Sequence, residues 1–227
     1  MSWVLDNLDL IGALTVDHLR QSAIAIVMGF AVAIPIGWLA FHYTRLRGPM
    51  LTVVGLLYTI PSLALFPLLQ LLGIPFLSEL NLIVALAIYA VAIMTRSVTE
   101  GLASVDPATR SAAVAVGYGT WRRFWTVDFP LAGPVILAGL RVAAVSTISL
   151  ATVGALVGVQ NLGYLFTNGS QRRIVAEVFA GVVAVVVVAL VIDLLLVLLG
   201  RALMPWVRRT SSSRASRRRA VSTAVAT

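Results

Sequence analysis

Long apolar runs with few charges between them constrain this chain more than any other feature. No Asp, Glu, Lys or Arg occurs between Arg20 and Arg45, and residues 22–41 within that gap are long enough to cross a bilayer as a helix. Of the 227 residues, 59% are hydrophobic and only 11% are charged, whereas soluble chains are about a quarter charged. The sequence therefore predicts an all-α integral membrane protein with no room for a separate soluble catalytic domain.

The gaps between charges predict the membrane segments. They indicate about five transmembrane helices, at about 20–42, 50–73, 80–96, 131–158 and 174–203. In the second helix we expect a kink or break near Pro61 and Pro67. At Pro61 and Ser62 two interpretations stay open: a break that exposes backbone carbonyls to a pathway through the protein, or a simple kink.

The two ends of the chain differ from the transmembrane domain, which we place at residues 20–205. Residues 1–19 combine apolar residues on one helical face with three aspartates, which favours a segment lying in the membrane interface. Residues 206–227 consist mostly of Ser, Arg and Ala, and they are predicted to form a disordered basic tail.

Arginine distribution predicts the orientation. All 17 basic residues are Arg, and seven of them lie from Arg201 onward; the other 10 nearly balance the 9 acidic residues. A basic nucleic-acid-binding face is therefore absent from the sequence pattern, and a tail near anionic lipid is the simpler interpretation. With five helices and the N-terminus outside, 13 arginines fall inside and 3 outside. We thus expect a multi-pass cell-membrane protein with the loop at 97–130 and the C-terminus in the cytoplasm.

Missing residue types exclude several chemistries. The chain has no Cys and only two His, so neither a disulfide nor a thiolate or zinc site is expected. It also has no Lys, which a Walker A phosphate-binding loop requires. We expect no metal, no cofactor and no enzymatic activity, and if the protein uses ATP, another chain must hydrolyse it.

The loop between residues 97 and 130 contains clear helix signals. Asp106 and Pro107 predict the start of a helix that Gly117 ends. Thr120 predicts the start of a second short helix, which Pro130 is expected to stop, with Trp121 on its surface. Composition alone favours an amphipathic loop lying on the membrane, while small residues beside aromatic ones also suit a docking surface.

The spacing within this loop resembles the signature of bacterial ABC importer permeases. The sequence has Ser111, Ala112 and Ala113, then three residues, Gly117, nine residues, and a Val-Asp-Phe-Pro segment that ends at Pro130. In that family a Glu usually stands at the position of Ser111. The resemblance implies a type I importer permease fold in which the loop is a cytoplasmic coupling helix, with Ser111, Ala112, Ala113, Gly117, Trp121 and Pro130 at the contact with an ATPase.

Other segments between residues 18 and 200 resemble permeases for glycine betaine, carnitine and choline. Among them are YTIPSLALFPLLQLLGI, LAGPVILAGLRVA and ATVGALVGVQNLGYL. The resemblance implies import of a small osmoprotectant, such as one of these or a proline-like solute, in the inner membrane of a bacterium. It also implies three partners: a cytoplasmic ABC ATPase, a second permease copy or paralogue, and an external binding protein. Methionine or sulfonate permeases, a secondary transporter or channel, and a membrane scaffold remain alternatives.

Two charges lie deep in predicted helices. Arg141 and Asp193 fall about 15 and 10 Å from the predicted cytoplasmic ends of their helices, at 1.5 Å per residue. Ionised groups in a membrane usually have partners, and the similar depths permit an Arg141–Asp193 pair between the fourth and fifth helices. Three interpretations stay open: a gate or pathway charge, a structural pair, or two side chains that each snorkel to the membrane surface.

Overall fold

A computed structural model describes residues 2–207 of the chain. In that range the chain forms ten α-helices and no strand. In chain order the helices are α1 Ser2–Asp6, α2 Leu8–His42, α3 Thr44–Thr59, α4 Ser62–Leu71, α5 Glu79–Ala103, α6 Pro107–Ala115, α7 Thr120–Arg123, α8 Phe129–Ala151, α9 Gly163–Gln171 and α10 Val175–Leu203. A π-helical turn, Phe124–Asp128, leads into α8, and a 3-10 turn, Thr152–Val157, follows it. Most of the predicted tail at 206–227 lies outside the described residues.

Helix length and composition define the membrane segments. Within the described part of the chain, four helical stretches are long and apolar enough to cross a bilayer: Leu8–His42, Glu79–Ala103, Thr120–Val157 and Val175–Leu203. Helices α3 and α4 pass the same test together, although they are bent by 106°. Counting this bent pair as one span gives five, so the predicted all-α membrane fold is confirmed.

The break between α3 and α4 lies at Pro61. Ile60 is extended, with φ −65° and ψ 127°, because a residue that precedes proline is driven out of the helical region. Pro67 produces no comparable break, since it lies inside α4. The structure thus shows a break at Pro61, whereas Pro67 is accommodated within α4.

Helix α2 begins earlier than the sequence predicted. It runs unbroken from Leu8 to His42, so the expected boundary at residue 19 is not present. The aspartates at 9 and 17 interrupt the apolar pattern but leave the backbone hydrogen-bond ladder intact. At about 1.5 Å per residue, a helix of 35 residues exceeds the ~30 Å of a hydrocarbon core, so one end of α2 extends beyond it.

Two other helices also have ends that differ from those predicted from the sequence. Helix α5 continues to Ala103 instead of ending at Arg96, and within it the Nε atom of Arg96 lies 2.9 Å from Oε1 of Glu100. Helix α8 begins at Phe129, two residues before the predicted start. A charge ends an apolar run, but only a change in backbone hydrogen bonding ends a helix.

Helix α5 is the centre of the bundle. In the most apolar 18-residue stretch of α5, 67% is buried inside the protein, against 11% in the corresponding stretch of α10. A row of small residues on α2, spaced four apart, is buried in the bundle: Ala25, Gly29, Ala33 and Gly37. A Cβ atom added at Gly37 would come within 2.7 Å of Cβ of Val98 on α5. Small residues thus allow the two backbones to approach closely, as in many membrane helix pairs.

A buried polar cluster fixes the end of the bundle opposite α6. The amide of Asn161 donates to Oε1 of Gln21 at 3.1 Å and to the carbonyl of Ala151 at 2.8 Å. Its own Oδ1 accepts from the backbone N–H of Gly163 at 2.8 Å. Because buried polar groups need partners, this cluster ties the segment before α9 to α2 and to the end of α8.

Candidate functional site

The loop after α5 begins with a well-capped helix. The side chain of Asp106 accepts a hydrogen bond from the backbone N–H of Ala108 at 2.8 Å, and Pro107 occupies the first helical turn. Both features satisfy or remove backbone donors that a helix start leaves without partners. Helix α6 therefore has a defined first residue, as the sequence predicted.

Gly117 terminates α6 in a left-handed conformation. Its φ is +87°, and its backbone N–H donates to the carbonyl of Val114 at 3.0 Å. The N–H of Tyr118 donates to the carbonyl of Ala113, also at 3.0 Å. These bonds form the usual glycine-terminated helix end. A Cβ at Gly117 would meet open space, so a larger residue there would be strained only through its backbone.

The small residues of α6 divide between two environments. Ser111 and Ala112 are exposed, and the hydroxyl of Ser111 donates to the carbonyl of Pro107 at 3.0 Å. Ala113 is only 8% exposed, so it packs inside its own chain. The expectation that Ala113 seats in a partner's groove therefore does not fit the structure; Ala112 is the alanine that a partner can reach.

Aromatic residues form the surface next to α6. The ring of Trp121 stacks on Phe124 with 6.0 Å between centroids and meets Trp125 edge-on at 5.7 Å. Phe124 is buried, whereas Trp121 is 66% and Trp125 is 44% exposed. Phe124 thus anchors two large apolar side chains that are open to an approaching partner.

Pro130 does not stop the second helix of the loop. It lies in the first turn of α8, directly after the π-helical turn, so helical backbone runs from α7 into α8. Proline is tolerated in a first turn because the missing N–H has no intrahelical acceptor to lose. The predicted helix end at Pro130 is therefore wrong, and the loop connects to α8 without a flexible joint.

Asp128 is a central residue of the loop that sequence analysis missed. Its carboxylate is buried and accepts from Nε of Arg110 at 2.8 Å and from Nε of Arg123 at 3.2 Å. The side chains of the two arginines are 18% and 20% exposed. When one partner of such a poorly solvated ion pair is removed, the other charge is left without a partner and the folded protein is strongly destabilised. One carboxylate thus joins α6, α7 and the start of α8.

Arg110 also connects α6 to the transmembrane helices. Its guanidinium carbon lies 4.5 Å from the ring centroid of Phe41 near the end of α2. A second nitrogen of the guanidinium donates to the carbonyl of Leu102 in the last turn of α5. Through this one side chain, α6 contacts α2, α5 and the start of α8, which makes it a rigid extension of the bundle.

Arg141 and Asp193 form a bidentate pair between α8 and α10. Nε of Arg141 donates to Oδ1 of Asp193 at 2.6 Å, and a terminal nitrogen donates to Oδ2 at 2.7 Å. Two parallel bonds hold a guanidinium and a carboxylate in a defined mutual orientation. The structure therefore brings together the two deep charges singled out in the sequence.

The surroundings of this pair are partly open. The side chain of Arg141 is 41% exposed and that of Asp193 is 27% exposed. Both line a groove of about 760 Å³, which Ser146 and Ser149 also line. Ionised groups are unfavourable against lipid tails, so this groove requires water or another protein surface rather than lipid.

The break at Pro61 does not leave its carbonyls without partners. The carbonyl of Pro61 accepts from the backbone N–H groups of Ala64 and Leu65, at 2.9 and 3.2 Å. The carbonyl of Ile60 accepts from the hydroxyl of Tyr89 at 2.5 Å. Ser62 is the first residue of α4. Of the two interpretations of this segment, the exposed-carbonyl one is thus not supported by the geometry of Ile60 and Pro61.

Several apolar spans, a rigid helical loop and a charged groove define the chain as a multi-pass helical membrane protein. The chain belongs to the family of binding-protein-dependent transport system inner membrane components, whose family model matches residues 25–209. The resemblance inferred from the loop spacing is thereby confirmed.

Characterised relatives match over most of their length. The osmoprotectant import permease protein OsmW of Salmonella typhimurium is 33% identical over 198 residues, which cover 86% of this chain and 92% of that protein. The choline transport system permease protein OpuBD of Bacillus subtilis is 31% identical and covers 87% of each chain. The glycine betaine/carnitine/choline transport system permease protein OpuCD of Bacillus subtilis is 32% identical, with 83% of this chain and 82% of that protein covered.

Solved transporter structures share the fold. The MetNI methionine ABC transporter, in an inward facing conformation, matches with a TM-score of 0.79 at 18% identity, covering 87% of this chain and 98% of that chain. An amino acid ABC transporter matches with a TM-score of 0.67, also at 18% identity, covering 89% and 96%. The arrangement of α2 to α10 is therefore that of ABC importer permeases.

Proposed function

We propose that this chain is the permease subunit of an ATP-driven importer for a small osmoprotectant, such as glycine betaine, choline, carnitine or a proline-like solute. The observation that carries this proposal is the identity of 31 to 33% to osmoprotectant and choline permeases over more than 80% of the chain. An external binding protein delivers the solute, and a second permease copy or paralogue completes the pathway. The chain itself has no enzymatic activity in this proposal.

The loop at 104–130 transmits the ATPase motion. Rigidity supports this role, because α6 is capped at both ends and is held by the carboxylate of Asp128. An exposed apolar surface also supports it, formed by Val114, Val116, Trp121 and Trp125, which are 44 to 74% exposed. Interface centres are enriched in aromatic residues of this kind. A separate cytoplasmic ATPase that docks on this surface moves α6 and, through Arg110 and Asp128, the bundle.

Reconstitution tests the function directly. The tagged chain is purified with its co-purifying subunits, these are identified, and uptake into proteoliposomes is measured with the binding protein present. We expect ATP-dependent uptake of radiolabelled glycine betaine, choline or carnitine. Uptake driven by an ion gradient without ATP would instead indicate a secondary transporter. ATP-dependent uptake of methionine or a sulfonate alone would indicate a permease for another solute.

Orientation depends on whether α3 and α4 together cross the membrane. With five spans and the N-terminus outside, the arginines before residue 200 divide six inside to three outside, with Arg141 in the membrane. With four spans, the segment after α2 and the loop containing α6 would lie on opposite sides. Arginines would then lie in loops on both sides of the membrane: Arg45 and Arg47 on one side, and Arg110, Arg122 and Arg123 on the other. That is contrary to the usual excess of arginine on the cytoplasmic side.

A topology experiment follows from this argument. The chain has no Cys, so single cysteines at Thr109 and Gln171 can be labelled without background. We expect an impermeant thiol reagent to label the cysteine at 171 in intact cells and to leave the cysteine at 109 unlabelled until the cells are opened. Labelling of residue 109 from outside would contradict the cytoplasmic loop.

Docking of the ATPase predicts a specific mutant phenotype. Ala112→Trp places a bulky ring on the exposed face of α6, while Gly117→Val strains a left-handed residue by roughly 1–2 kcal/mol. We expect both variants to reach the membrane and to lose most ATPase association in a tagged pull-down. The matched control is Thr109→Ser, which changes another exposed position of α6 by a single methyl group. Wild-type association in both variants would contradict the docking surface.

A further inference from the structure

A second cavity lies between α3, α5 and α8. Its volume is about 510 Å³, and the side chains that line it include Tyr58 of α3, Arg96, Ser97 and Glu100 of α5, and Ala138 and Val142 of α8. Ala138 and Val142 also line the groove beside Arg141 and Asp193. The two concave regions therefore adjoin each other along one face of α8.

Among the described residues that line this cavity, Tyr58 is the only aromatic one. It is 47% exposed, and its ring centroid lies 5.7 Å from that of Tyr89, with the ring planes at 87°. Tyr89 is buried, and its hydroxyl donates to the carbonyl of Ile60 at the break between α3 and α4. Tyr58 thus has an accessible ring that packs against Tyr89, whose hydroxyl is bonded to the backbone at the 106° bend between α3 and α4.

The charges of the cavity cancel each other. Arg96 and Glu100 form an ion pair at 2.9 Å, and their side chains are 75% and 49% exposed. They lie in the last two turns of α5, where so much exposed charge requires water. The cavity is therefore open to water at that end and carries no net charge, so it does not repel a zwitterion.

We propose that Tyr58 is a contact site for the quaternary ammonium group of the solute on its way through the permease. This proposal rests on the proposed function. A quaternary ammonium group has no N–H to donate, so a protein holds it through aromatic rings or carboxylates. Tyr58 supplies such a ring at the point where the cavity meets the bend of α3 and α4.

An electronic series at residue 58 tests this contact. Tyr58→Phe keeps the aromatic ring, Tyr58→Leu removes it, and phenylalanines with one, two or three fluorines weaken the ring's attraction for a cation with little change in size. We expect kcat/KM for glycine betaine uptake to be close to wild type with Phe. We expect it to fall stepwise with each added fluorine, to about tenfold lower with Leu. Binding-protein-independent ATPase activity is measured in each variant to show that the complex is intact.

The control is a tyrosine outside the cavity. Tyr43 is 50% exposed at the junction of α2 and α3, so Tyr43→Leu removes an equally accessible ring and should leave kcat/KM unchanged. Equal uptake across the fluorinated series, with wild-type transport of glycine betaine, would overturn the role of Tyr58 alone. Failure of the wild-type complex to transport glycine betaine, choline and carnitine would overturn the proposed function and this site together.

Discussion

The Asp128→Ala variant is expected to lose most ATP-coupled uptake while still inserting into the membrane. Without the carboxylate, Arg110 and Arg123 remain close together with side chains only 18% and 20% exposed. Removing one partner of such an ion pair costs about 3 kcal/mol. Helix α6 would then lose its ion pair to the start of α8 and keep only the contacts of Arg110 with α2 and α5, so ATPase motion would be transmitted poorly to the transmembrane helices.

Two measurements separate this effect from a general loss of folding. The free energy of unfolding is compared in detergent, and uptake is measured after normalising for the amount of protein in the membrane. Asp106→Ala is the matched control, because it removes a carboxylate from the same loop that only caps α6, at a cost of about 1 kcal/mol. An Asp128→Ala variant as stable and active as this control would show that the carboxylate does not hold the loop.

A double-mutant cycle on Arg141 and Asp193 should show that the two side chains are energetically coupled. Arg141→Ala and Asp193→Ala each leave one unpaired charge in a membrane segment, so each is expected to lower transport several-fold and to reduce stability. The effects of the double variant should be smaller than the sum of the effects of the two single variants. Exposure of 41% and 27% keeps the expected coupling below that of a fully buried pair.

The exchange Arg141→Asp with Asp193→Arg extends this cycle. If the pair is structural, the exchanged charges should restore stability and much of the transport. If the pair forms part of the solute pathway, stability should recover while transport stays low. Asp17→Ala serves as the control, since Asp17 is an exposed carboxylate at the other end of α2 from the loop. Additive effects in the cycle would show that the two side chains do not interact.

Local backbone signals were sufficient to predict parts of the loop. Asp106, Pro107 and Gly117 act through bonds to residues within four positions, so a short stretch of sequence contains all the information that they need. The spacing from Ser111 to Pro130 likewise indicated the family, which the comparisons confirm. Charges were poor markers of helix ends, because α2 and α5 pass through Asp17 and Arg96 without interruption.

The depth of a residue in the membrane, counted along the sequence, indicated a contact where the two helices are long and regular. Counting from helix ends placed Arg141 and Asp193 at similar depths, and their side chains meet because α8 and α10 pack together. No such count relates Arg110 to Asp128, which are 18 residues apart. A lone Asp in an otherwise apolar and aromatic stretch was the available signal, and it does not name its partners.

The sequence by itself determined the class of protein, its helical membrane segments, the caps of α6 and the family. These features depend on hydrophobicity and on contacts between near neighbours in the chain. Only the tertiary structure decided that Ala113 is buried while Ala112 is exposed, and that Asp128 joins two arginines. Each of these depends on which distant helix lies alongside, and that is settled by packing of the whole bundle rather than by local preference.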